Sequence, residues 1–332
     1  MGKLFEKKRR WLYFWIAVFI ALPFIAKPLG SFYSYELNII GIYCIVTVAL
    51  NLLTGYGGQV SIGQASFVVI GSYISAYLST NLGFPMWATF PIAAVLTGVA
   101  GYIMGLPAVR LSGHFLAVAT LGFGIAIPEI VLNMQVVGGS NGMTVPKPFQ
   151  SDITFYFMIF GILGIVLWLS SNLLKTRMGR AFVAIRESEV AAAAMGVPVA
   201  QYKALLFAIS AFFSGIAGNL YAHYVAFVSP NDFTLDSSFL FLAMIIVGGL
   251  ASLPGSLIGA FLIAVVQQAT SSLQGYSVVI TGLVMAAAVM FLPGGVITLF
   301  NGGIGKKSRP KVLKIVPSSG DEGGGAPHAS GS

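Results

Sequence analysis

Ten stretches of this chain are apolar for roughly 16–25 residues each, and most are joined by short loops. They run Trp11–Ala26, Leu37–Leu53, Val60–Leu78, Phe84–Ala108, Phe115–Leu132, Ile153–Leu174, Ala204–Val228, Ser238–Leu253, Ser256–Leu273 and Ser277–Phe300. A helix rises about 1.5 Å per residue, so such runs match the hydrocarbon thickness of a bilayer. Lipid offers the backbone no hydrogen-bond partners, so a chain with this pattern folds as helices. The third, eighth and ninth runs are short or glycine-rich and are expected to be broken or re-entrant segments buried in protein. Only 8% of residues are charged, against about 25% in a soluble domain. That is too few to cover a water-facing surface, which excludes ordinary soluble enzymes and disordered proteins. The expectation is an all-α integral membrane protein with about ten transmembrane helices. It has a basic N-terminus over 1–10, a polytopic domain over 11–300 and a tail over 301–332.

The placement of charge sets the orientation. With the N-terminus in the cytoplasm, 16 of the 18 Lys and Arg residues fall inside. They are Lys3, Lys7, Lys8, Arg9 and Arg10, then Arg110, then Lys175, Arg177, Arg180, Arg186 and Lys203, then five between Lys306 and Lys314. Lys27 and Lys147 are outside, with Glu36, Asp152, Asp232 and Asp236. This asymmetry follows the positive-inside rule and places both termini in the cytoplasm. It also accounts for the net charge of +8 without nucleic acid. The first run follows a basic cluster as a signal peptide does, but Pro28, Leu29 and Gly30 stand where a small-residue cleavage site is needed. It is expected to remain as a helix.

Two loops are long. The cytoplasmic one, Lys175–Lys203, is rich in helix formers over Ala181–Met195. Glu187 and Glu189 are expected near the start of one helix, where negative charge suits the dipole, and Gly196 and Pro198 should end it. A small, flat, Ala-rich face suits either close docking into a partner's groove or a plain connector. The external loop, Gln135–Asp152, holds Gly138, Gly139, Asn141 and Gly142, which favour tight turns. The tail is Lys-rich and then Gly/Ser-rich, a composition that cannot bury a core.

Catalytic and metal-binding patterns are absent. There is one cysteine, Cys44, within an apolar run, and three dispersed histidines, His114, His223 and His328. No disulfide, metal site or cofactor is expected. Gly302–Ser308 imitates a phosphate-binding loop, but Phe300 and Lys307 break its spacing. Glu129 is the clearest charge within a span, and is a candidate pathway residue or a helix contact. Gly101-x-x-x-Gly105 and Gly255-x-x-x-Gly259 have helix-packing spacing. Gly55–Gly63 and Gly248–Gly255 interrupt apolar runs. Broken helices present free backbone groups to polar solutes, so Gln59, Ser61 and Gln64 are candidates for lining a pathway, with plain turns as the alternative.

These residues carry a resemblance. Leu50–Phe67 (LNLLTGYGGQVSIGQASF), Leu106–Gly124 (LPAVRLSGHFLAVATLGFG), Gly138–Gly142, Arg177–Gly196 (RMGRAFVAIRESEVAAAAMG) and Ser229–Gly259, in that order, are similar to the LivM-type permease subunits of branched-chain amino-acid ABC importers. The resemblance implies a type II-like importer permease in a bacterial cytoplasmic membrane. Its partners would be a second, LivH-like permease, two cytoplasmic ATPase subunits and an external amino-acid-binding protein. The family's degenerate E-A-A…G helix, which meets the ATPase, is matched by Glu189, Ala191, Ala192 and Gly196, with Glu187 beside them. Thr120, in the second stretch, joins Gln59, Ser61, Gln64 and Glu129 as a pathway candidate. The acidic and basic residues usual after TLGFG are replaced by Ile125 and Pro128, with Glu129 displaced. The implied substrates are leucine, isoleucine and valine, with another amino acid or urea as the alternative within the class. An ion-coupled secondary transporter is the alternative outside it.

Overall fold

The computed structural model describes residues 31–108, 111, 113–270, 279–280, 282–283, 286–287, 290 and 294–300. The first apolar run, the basic N-terminus, Arg110, part of the tenth run and the tail with its phosphate-loop imitation lie outside the described residues. The helices are α1 (Ser31–Leu50), α2 (Gln64–Asn81), α3 (Met86–Ala108), α4 (His114–Asn133) and α5 (Asp152–Lys175). They continue with α6 (Arg177–Glu187), α7 (Glu189–Ala194), α8 (Val199–Val225), α9 (Leu235–Gly248), α10 (Leu253–Thr270) and the short α11 (Ile297–Phe300). Seven segments among the described residues are long and apolar enough to cross a membrane: Phe32–Tyr56, Met86–Pro107, Phe115–Asn133, Asp152–Lys175, Val199–Val225, Pro230–Gly248 and Leu253–Thr270. One small departure from all-α is an antiparallel ribbon, β1 (Met143–Thr144) on β2 (Phe227–Val228).

The bundle is organised around α8. Apolar helices gain nothing from leaving lipid for one another, so contact must come from close packing, which small residues allow. A Cβ at Gly71 of α2 would lie 2.6 Å from Gly215 Cα of α8, and one at Gly105 of α3 would lie 2.7 Å from Ala204 Cα. Gly218 and Gly101 make similarly close contacts, with α2 and α8 respectively. The Gly101/Gly105 pair therefore packs α3 on α8. Gly255 and Gly259 do the same for α10 against Gly248 and Met244 of α9. Cys44 is a buried free thiol in the core.

Helix directions follow from contacts at the two ends. At one end Asn38 of α1 donates to Tyr224 Oη of α8 at 3.0 Å and to the Asp152 carbonyl of α5 at 3.1 Å. At the other, Lys203 of α8 pairs with Glu189 of α7. The third run is broken: it enters beside Arg186 at the Lys203 end, and the last turn of its helix holds Ser79 beside His223, toward the opposite end. Its helix starts at Gln64 instead of Val60, beside Ser210 and Ser214 in the middle of α8. It is not among the seven apolar segments, and its Ser66, Ser72, Ser75 and Ser79 are all buried in protein. The N-terminus of α9 meets that of α2, where the Ala65 N–H donates to Ser238 Oγ at 3.1 Å.

Candidate functional site

The broken segment is built from a local break and a distant clamp. After Leu50 the helix loosens into a π-helical turn, Asn51–Tyr56, the kind of bulge that often marks a functional position. The Gly57 and Gln59 N–H groups reach back to the Leu52 and Leu53 carbonyls at 3.0 and 3.1 Å. Gly58 turns with φ +67° against Arg186, a conformation that glycine adopts without a Cβ penalty. The chain then climbs through Gln59–Gly63 to the start of α2.

Asn51 is the clamp. Its amide nitrogen donates to Ser256 Oγ (2.6 Å), the Ser252 carbonyl (3.0 Å) and the Gly249 carbonyl (3.4 Å). Its amide oxygen accepts from the Ala251 N–H at 2.9 Å. The second glycine-rich break, with Gly249 at φ +122° and Ala251 at φ +58°, is thus tied to the first. Asn51→Leu removes every one of these bonds and strands buried groups, and is expected to cost about 3 kcal/mol. A thermal unfolding midpoint of the purified protein in detergent equal to wild type would contradict that clamp.

Four of the five pathway candidates come together. Gln59, Ser61, Gln64 and Thr120 are each no more than 3% exposed. Thr120 Oγ1 accepts from the Ile62 N–H at 3.0 Å and donates to the Ala117 carbonyl. Gln64 Nε2 donates to Ser210 Oγ (3.0 Å) and Ser214 Oγ (2.6 Å), and Ser210 Oγ donates onward to the Ala49 carbonyl (2.8 Å). Gln59 Oε1, Ser61 Oγ and Gln64 Oε1 are buried without a hydrogen-bond partner. Glu129 does not join them: it is exposed on α4, nine residues beyond Thr120. Its side chain makes no hydrogen bond or ion pair to another helix among the described residues. Sequence reasoning missed Asn51, Ser210, Ser214 and Ser238. The i, i+4 serine pair within the apolar run of α8 was a visible signal for two of them.

A separate polar knot fastens α2, α3 and α8 toward the end away from Lys203. Asn219 Nδ2 donates to Ser75 Oγ and Thr89 Oγ1, each at 2.8 Å, and His223 Nε2 lies 3.0 Å from Ser79 Oγ. Above it a cavity of about 310 Å³ is lined by Phe84, Trp87, Pro146 and Phe149, among others.

The long basic loop forms two helices in place of the single one expected. Ser188 breaks it with an extended backbone, and its hydroxyl caps α7 by accepting from the Ala191 N–H at 3.2 Å. Glu187 accordingly ends α6 instead of starting a helix, which corrects its placement. Glu189 does stand in the first turn of α7, and Gly196, with φ +80°, stops it. The Val197 N–H bonds the Ala192 carbonyl and the Gly196 N–H the Ala193 carbonyl, both at 3.0 Å, which closes the C-terminal cap. Ala192 is buried, while Ala191 is exposed between Val190 (82% exposed) and Met195 (84%). Two apolar side chains this bare form a small knob at the bundle's basic end.

Comparison with known proteins adds the following. Residues 32–293 match the sequence profile described as the branched-chain amino acid transport system permease component. The high-affinity branched-chain amino acid transport system permease proteins LivM of Salmonella typhimurium and Escherichia coli are each 30% identical over 324 residues, covering 88% of this chain and 76% of theirs. The probable branched-chain amino acid transport permease protein LivH of Methanocaldococcus jannaschii is 25% identical over 299 residues, covering 82% of this chain and 94% of its own. No solved structure matches the chain.

Proposed function

The chain belongs to the permease component family of branched-chain amino acid transport systems, and from that premise we propose that it is the membrane-spanning subunit of an ATP-driven importer. It would move leucine, isoleucine or valine from an external binding protein to the cytoplasm by alternating access. The observation that carries this reading is the knob of Val190 and Met195, held out at the end that also bears Lys175, Arg177, Arg180 and Arg186. That end is the cytoplasmic one by the positive-inside rule. A bare apolar pair there suits the groove of an ATPase subunit, and hydrolysis itself belongs to that partner. Glu189, Ala191 and Gly196 shape the knob, Ala192 seats it, and Glu187 lies on its flank.

Similarity to both LivM and LivH proteins supports pairing with a second, homologous permease. The full complement of about ten spans, a type II-like arrangement, an inner-membrane location and cytoplasmic termini belong to the same proposal. The pathway would pass Gln59, Ser61, Gln64 and Thr120. Glu129 supports its placement beside α4. A carboxylate facing hydrocarbon costs about 2.5–3.5 kcal/mol even on insertion scales, yet Glu129 is exposed beside Ile125 and Ile130. That face therefore meets water or the second permease.

The test is reconstitution with the second permease, ATPases and binding protein in liposomes, followed by uptake of labelled amino acids and urea. Uptake of leucine, isoleucine or valine that needs both ATP and the binding protein supports the reading in full. Uptake of urea or another amino acid keeps the class and changes the substrate. Uptake by this chain alone on an ion gradient overturns it. In the same assay Gly196→Arg is expected to lower uptake by at least about tenfold. It forces a side chain into a left-handed backbone and adds a charge to the knob. Wild-type uptake by that variant would remove the knob from the mechanism.

A further inference from the structure

We propose that the cluster at the start of α2 holds the backbone end of the transported amino acid, its ammonium and carboxylate together, without reading the side chain. The proposal rests on the permease function above and adds the chemistry of its site. The first observation is the helix end itself. α2 has 18 residues and begins midway along α8; its N-cap residue, Gly63, supplies no side-chain cap, and Ser238 Oγ takes the Ala65 N–H. The N–H groups of Gly63 and Gln64 make no hydrogen bond among the described residues. The N-terminus of α9 arrives at the same place through Ser238. The first turn of α9 already carries Asp236, so it is the end of α2, in a low-dielectric interior, that favours a further carboxylate.

The second observation is independent of the helices. Ser61 Oγ, Gln59 Oε1 and Gln64 Oε1 are buried and unpartnered within six residues of chain. Among the described residues the other buried side-chain atoms without partners, on Asn38, Thr97, Ser170 and Asn219, stand singly on different helices. Groups of this kind are rare in folded proteins and tend to mark function. The chemistry is complementary. A hydroxyl and two backbone N–H groups donate to a carboxylate, while two amide oxygens accept from an ammonium. Gln64 is fixed in that role, because its nitrogen is committed to Ser210 and Ser214. None of the groups is ionisable, so the site is neutral and matches a solute whose own charges cancel. In this conformation Thr120, Phe123 and Gly124 of α4 cover the cluster, so access requires α4 to shift.

The test uses the reconstituted complex with saturating binding protein. Leucine taken up and ATP hydrolysed are measured together, and the readout is leucine moved per ATP. Ser61→Ala and Gln59→Leu are each expected to lower that ratio by about tenfold, the weight of one charge-assisted hydrogen bond, and Ser61→Thr to restore it. A second arm bypasses the selectivity of the binding protein. Wild-type vesicles are loaded with millimolar leucine, leucinamide or 4-methyl-2-oxopentanoate, and only leucine, with both charged groups, is expected to slow uptake. The proposal is overturned if the ratio stays within twofold of wild type in both variants. It is equally overturned if uptake and hydrolysis fall together without rescue by threonine, or if leucinamide or the oxo acid slows uptake as well as leucine does. A wild-type complex that moves no amino acid sinks the permease reading and this proposal with it.

Discussion

Reversing one charge, Glu189→Lys, is expected to cut ATP-driven uptake by at least about tenfold, and adding Lys203→Glu in the same chain to restore most of it. The reason is a pair that joins the knob to the bundle. Lys203 is 2% exposed and bonds to Glu189, which is half-exposed at the start of α7. Taking the partner from a buried charge costs about 3–5 kcal/mol in full burial. Solvent reaches Glu189, so the lower part of that range applies. α7 has six residues and little grip of its own beyond buried Ala192, so losing the pair releases the knob while the spanning helices stay packed. Uptake by the single and double variants in the reconstituted complex decides it. Normal transport by Glu189→Lys, or no recovery in the double variant, would show that the pair does not position the knob.

The second large effect concerns assembly. Gly71→Leu is expected to prevent the protein from being purified in a folded, monodisperse state, or to lower its unfolding midpoint by about 10 °C or more. A Cβ at that position meets the backbone of Gly215, and backbone in a packed helix pair has nowhere to move. Gly164→Leu is the matched control, since Gly164 lies on an exposed face of α5 with nothing within 4 Å of an added Cβ. It should purify and unfold as wild type does. Equal behaviour of the two variants would mean that α2 and α8 do not depend on this close approach.

The spanning helices were legible because lipid leaves one solution to a long apolar run. α5 departs by one residue at each end from the run Ile153–Leu174. Legibility failed where protein replaces lipid as the surroundings. α2 is polar because α3, α8 and α9 enclose it, so composition alone understates it as a helix. Gln59, Ser61 and Gln64 were visible because they lie in or beside a glycine-rich break, and Thr120 because it lies in a stretch that carries the family resemblance. Their partners Ser210, Ser214 and Ser238 come from well over a hundred residues further along the chain, and Asn51 acts on a turn 198–205 residues away. A spacing rule cannot connect such distances. The Ala-rich stretch around Ser188 suggested one continuous helix, and the break at that residue was not read. The β1–β2 ribbon is two residues long on each side, too short for any periodicity.

The polar character of α2 bears on how the chain is made. Ser66, Ser72, Ser75 and Ser79 all become buried, and Asn219 of α8 supplies a donor to Ser75. During synthesis α2 leaves the ribosome more than a hundred residues ahead of the helix that will cover it. At about 5–20 residues per second, that interval lasts several seconds or more. A segment this polar gains little from entering lipid unaccompanied. The Asn219–Ser75 bond and the burial that α8 supplies therefore form only after more than a hundred further residues have been made.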